Sequence, residues 1–83
     1  MADKTVTIAH IIFGNAEFEV LQQVVQGKAR KEIGVALSKP IGTIHAHMRH
    51  IFTKVGVFKV NELISWCRDN GFDSKGNYTE RKD

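Results

Sequence analysis

The sequence predicts an all-α domain of four short helices preceded by a short N-terminal arm, on three observations. Apolar residues recur at spacings of three and four in four successive stretches, the period that gathers them on one face of a helix. The stretches end on stop signals: Gly27, the Ser38-Lys39-Pro40 turn, Gly56 and Asn70-Gly71. The links between them are only a few residues long, so successive helices must pack against one another. Residues 1–13 are read as the arm, 14–72 as the helical domain and 73–83 as a disordered tail.

In the arm, Val6 and Ile8 alternate with threonines before the apolar cluster Ile11, Ile12 and Phe13. A short strand, an extra helix and an arm that packs on a partner all fit so few residues. Helix one follows, with Asn15 as its expected N-cap, Glu17 and Glu19 near the positive end of its dipole, and an end near Val25. Its stripe is Phe18, Leu21, Val24 and Val25, and Gly27 supplies the left-handed stop.

The second helix, about 29–37, turns Ile33, Ala36 and Leu37 inward and Arg30 and Lys31 outward. Proline at position 40 disfavours helix in the residue before it and is accepted in a first helical turn, so 38–40 form a turn. The third helix then spans Ile41 to Val55, with Ile41, Ile44, Met48, Ile51 and Val55 in register and Phe52 beside them. Helix four, about 59–70, carries Val60, Leu63, Ile64 and Cys67 on one face. The polar residues after Phe72 lack the apolar content to fold.

Eighty-three residues make one domain, and a core this small buries only about 60% of the surface its unfolded chain exposes. Association or ligand binding is expected to add to its stability. Twelve basic residues against nine acidic ones give a net charge of +3, too small an excess to name a partner. The distribution says more. Between Lys28 and Lys54 six basic residues face the single acid Glu32, an excess of five, which leaves the rest of the chain two negative.

Two short helices joined by a tight turn, the second basic and amphipathic, have the layout of a helix-turn-helix. The second helix of such a pair fits the DNA major groove. One cysteine, Cys67, allows no internal disulfide and no zinc site of cysteine pairs. No apolar run approaches the ~20 residues that span a bilayer, and no signal pattern opens the chain. A soluble, cytoplasmic, nucleoid-associated protein is the expectation, with no membrane partner. Nothing in the sequence supports an enzyme: paired carboxylates, a nucleophile elbow and a phosphate loop are missing, and a domain this small offers little concave pocket. No cofactor is expected.

The residues Glu17-Phe18-Glu19-Val20-Leu21, Val25-Gln26-Gly27-Lys28, Lys31-Glu32-Ile33 and Thr43-Ile44 fall in one pattern. It continues through His47-Met48-Arg49-His50-Ile51-Phe52, Lys54-Val55-Gly56-Val57 and Asn61-Glu62-Leu63. At these mutual distances they resemble the LuxR/GerE-type DNA-binding domain, over Phe13 to about Phe72. The resemblance implies a bacterial transcription regulator whose third helix enters the major groove and whose fourth helix dimerises. It implies the free-standing variety, although a fragment of a longer regulator reads the same. The chain departs from the family's pattern at Gly14-Asn15-Ala16, where a threonine, a proline and a basic residue are usual. It departs again at Lys39-Pro40, where an apolar residue and a hydroxyl cap are usual. Gly42 adds a helix penalty beside that second departure.

His45, Ala46 and Arg49 lie away from the apolar stripe, and the resemblance places their positions at bases or nearby backbone. Arg49 suits bidentate pairing with guanine and the Ala46 methyl suits a thymine methyl. Lys28, Arg30, Lys31, Thr43, His50 and Lys54 are expected to contact phosphates. Because a helix turns about 100° per residue, His45 and His47 diverge and only His47 and His50 share a side, so no metal site is expected. Val57, Val60, Leu63, Ile64, Trp66 and Cys67 are the expected homodimer seam. The alternative to a DNA-binding regulator is an interaction module that keeps the fold but binds and inhibits another transcription regulator.

Overall fold

The computed structural model describes residues 5–79, in the order β1 (Thr5–Ile8), β2 (Ile11–Gly14), α1 (Asn15–Val25), α2 (Arg30–Leu37), α3 (Ile41–Val55) and α4 (Val60–Asp69). The four helices stand as expected, with α3 bounded by the residues its periodicity gives. Of the three forms open to the arm, the strand is the one taken: residues 5–14 form a β-hairpin, so the fold is helical with a two-stranded antiparallel sheet at its start, while residues 1–4 of the arm lie outside the described residues.

Thr5 pairs with Gly14, Val6 with Phe13, Thr7 with Ile12 and Ile8 with Ile11. The two turn residues, Ala9 at φ 52° and His10 at φ 68°, both take the left-handed conformation of a type I′ turn. That turn makes Ile8 and Ile11 a hydrogen-bonded pair, and such pairs alternate along an antiparallel ladder, so Val6 and Phe13 are the next. Thr5 and Thr7 therefore point their backbone groups away from β2, and Ile12 and Gly14 point theirs away from β1.

The inner face of the hairpin inserts Ile8 and Phe13 into the core, where they join Val20, Leu21 and Val24 of α1, Ile33 of α2, Ile44, Met48 and Ile51 of α3, and Leu63 and Cys67 of α4. Phe13 meets Trp66 edge-on at 6.0 Å. In α2 the inward face differs from the expected one. Ala36 is exposed and Gly34 takes its place in the interior.

Three helices start alike. The side chain of the third residue accepts the backbone N–H of the residue before the helix: Glu17 from Gly14, Glu32 from Ala29 and Glu62 from Lys59. This is the carboxylate half of a capping box, and it sets a negative charge at each positive helix end. Gly14, not Asn15, holds the N-cap position of α1. The exception is α3, which begins after Pro40, has no backbone N–H there to satisfy, and carries no acid in its first turn.

Residues 73–79, expected to be disordered, fold back instead. Phe72 and Tyr78 form an isolated bridge and stack with Phe18 of α1, at centroid distances of 5.1 to 5.9 Å. Asp73 accepts the backbone N–H groups of Lys75 and Asn77, and Gln26 donates to the Lys75 carbonyl. Gly76, at φ +83°, sits so close to the Gln22 carbonyl that no Cβ fits. Among the described residues no helix is long and apolar enough to cross a membrane.

Candidate nucleic-acid interface

The turn between α2 and α3 is built on Gly34 and Ser38. Ser38 is left-handed at φ 55° and closes α2, and the Lys39 N–H returns to the Gly34 carbonyl at 2.9 Å. A Cβ on Gly34 would lie 2.8 Å from the Lys39 carbonyl oxygen, a backbone atom that cannot turn aside. Gly34→Ala gains about 0.5–1 kcal/mol of helix propensity, but overpacking at such a contact costs about 1–3 kcal/mol. A net loss is expected, read as a lower midpoint in urea with the m-value unchanged.

α3 buries Ile44, Met48 and Ile51 and exposes Gly42, His45, Ala46, Arg49, His50 and Thr53. The expected base-facing residues thus share the exposed side. His45 and Arg49 line one concavity with Arg30 of α2, floored by Met48 and Phe52. Lys31 is exposed, and half-buried Lys28 donates to the Gln23 side-chain oxygen at 2.5 Å, which fixes its position without neutralising it. Thr43 is half-buried, its N–H bonded to the Pro40 carbonyl. His47 and His50 line a groove against the start of α1, with Glu17, Glu19 and Lys39. Ile41 is half exposed rather than core, and Val35 stands 77% exposed beside it across the turn.

Lys54 is not free for phosphate. Its ammonium donates to Glu17 Oε1 at 2.6 Å and to the Ile12 carbonyl at 3.0 Å, and lies 5.7 Å from the centre of the Phe13 ring. Burial raises the Glu17 carboxyl, but the Lys54 hydrogen bond, the Gly14 amide and the charges of Lys54 and His50 outweigh it and leave the group below its ordinary value. A cation near the end of α3 reads in the sequence as a phosphate contact. The Glu17 partner, 37 residues away in the chain, left no mark of spacing.

The expected dimer seam divides. Leu63 and Cys67 are fully buried in the chain's own core and have no surface to give a second copy, and burial pushes the Cys67 thiol up to about 12. Val57, Ile64 and Trp66 are half-buried, while Val60 is 39% and Phe58 88% exposed. Phe58 was missed because it lies in the link before α4, outside any helical period. Among the described residues, no group of three or more His, Cys, Asp or Glu could hold a metal ion.

A family model described as bacterial regulatory proteins of the luxR family (GerE) matches residues 12–67. Oxygen regulatory protein NreC from Staphylococcus aureus strains JH9, JH1 and Mu3 is in each case 34% identical over 56 residues, 68% of this chain and 26% of the relative. The chain thus spans about a quarter of the length of these curated relatives. No solved structure matches it. The family match covers both helices of the turn motif and the basic concavity between them, and the chain belongs to the luxR family of bacterial regulatory proteins.

Proposed function

We propose that the domain binds double-stranded DNA as a transcription regulator, with α3 lengthwise in the major groove. Arg49, His45 and Ala46 face base edges, and Lys28, Arg30, Lys31, Thr43 and His50 face phosphates. One observation carries this reading: Arg30, His45 and Arg49 come from two helices to one concavity on the side of α3 turned to solvent. α3 itself contains no acidic residue to repel a polyanion. Two copies would bind half-sites about one helical turn apart, and the part of the seam outside the core, half-buried Val57, Ile64 and Trp66 with exposed Val60, joined by exposed Phe58, supports their pairing through α4.

The test is a fluorescence-anisotropy titration against duplexes selected from a random pool, repeated over a range of salt. Binding should weaken with salt by about one unit of log-log slope for each phosphate neutralised. Arg49→Ala should raise the Kd about tenfold or more and relax the choice of base at one position. Absence of binding at low salt, or indifference to Arg49→Ala, defeats the proposal.

Val35 and Ile41, exposed on either side of the turn, favour a second reading in which the chain binds and inhibits another regulator. DNA binding with an Arg49-dependent consensus makes that reading unnecessary.

A further inference from the structure

The hairpin has two edges, and the protein treats them differently. On β2 the outward groups belong to Ile12 and Gly14. The Ile12 carbonyl accepts from Lys54 and the Gly14 N–H donates to Glu17, so the ion pair between α3 and α1 also occupies one outward group of each residue on this edge. On β1 the outward groups belong to Thr5 and Thr7, and among the described residues none of them has a partner. The strand reads Thr-Val-Thr-Ile, β-branched throughout, without the charge, proline or bulge that usually blunts an exposed edge.

We infer that the open edge of β1 pairs with β1 of a second copy, joining two hairpins into a four-stranded antiparallel sheet. The edge is self-complementary. A twofold axis through Val6 sets Thr5 of each chain opposite Thr7 of the other, where each N–H meets a carbonyl, and brings the two half-buried Val6 side chains together at the seam. Because the twofold pairing uses up both β1 edges and Lys54 and Glu17 already hold the Ile12 carbonyl and the Gly14 N–H on the β2 edges, the assembly stops at two chains and does not grow into a fibre. Four residues a side bury little surface, so the contact belongs to the weak, transient class. It is separate from the α4 surface and does not depend on DNA.

Sedimentation of the full chain over a concentration series reads the association, and amide exchange of Thr5 and Thr7 locates it. Self-association should appear by about 1 mM, with both amides exchanging more slowly as concentration rises. Thr7→Pro removes one outward N–H and leaves the inward ladder intact, as edge strands allow, and should raise the dissociation constant at least tenfold. Thr7→Lys, which puts like charges across the seam, should do the same and decides the matter where the proline variant does not fold. A chain that stays monomeric throughout the series overturns the inference. So does a dimer that Val60→Glu abolishes while Thr7→Lys leaves it unchanged, which places pairing on α4 alone.

Discussion

Phe13→Ala is expected to cost about 3–5 kcal/mol, the usual range for truncating a fully buried aromatic. The side chain is completely inaccessible, lies edge-on to Trp66 and carries the Lys54 ammonium above its ring. Relaxation cannot refill the space easily, because Phe13 is held in the β2 ladder opposite Val6 while Trp66 is held on α4. At the usual 0.05–0.15 kcal/mol per residue, a chain of this length has a total stability of only about 4–12 kcal/mol. The variant should therefore be largely unfolded at 37 °C or melt far below the parent by circular dichroism. A shift in melting temperature of only a degree or two would mean that the hairpin is not part of the cooperative unit. A chain starting at residue 15, which lacks Phe13, is likewise expected to be poorly stable, although most of the matched family region survives in it.

Lys54→Ala should be the next most damaging change. It strands the Glu17 carboxylate, whose side chain is 12% exposed, and uncovers the Ile12 carbonyl. Breaking a fully buried ion pair costs about 3–5 kcal/mol and an exposed pair under about 1. With the Lys54 side chain 38% exposed, a loss of about 2 kcal/mol at neutral pH lies between them. The pH dependence gives the sharper check. The folded Glu17 carboxyl lies below its ordinary value of 4.5, so the stability it contributes is present above that value and drains away as pH falls through the folded one. The deficit of Lys54→Ala relative to the parent should shrink in that acid window, because a protonated Glu17 no longer needs the ammonium. Urea titrations of both chains at pH 7 and at successive steps below 4.5 measure it. A deficit that is constant with pH would show that Lys54 acts through packing alone.

How much of this was legible depends on how far apart in the chain the partners are. α3 could be delimited to the residue because fifteen residues give four turns of apolar period and Gly56, left-handed at φ +84°, ends it. α2, with eight residues, gives too few turns to fix its rotation, and so Ala36, expected inward, is exposed while Gly34 is buried. The hairpin was illegible for a local reason: its turn residues are Ala9 and His10, where asparagine and glycine would have announced a type I′ turn. The folded tail hides in polar composition, since its anchors are only Phe72, Gly76 and Tyr78. The exposed basic side of α3 was readable from periodicity, but the inward turn of Lys54 was not. Periodicity also found the apolar stripe of α4 without saying whose atoms cover it. The chain's own core takes Leu63 and Cys67, leaving only the rim of that stripe to a partner.

The sealed position of Cys67 gives the molecule a built-in clock. A thiol pushed up to about 12 and fully inaccessible is inert to alkylating reagents while the chain is folded, and turns reactive only when α4 leaves the core. Where alkylation outruns reclosing, the trapping rate counts openings of the native state, and where reclosing is faster it reports the open population, in both cases without any added label.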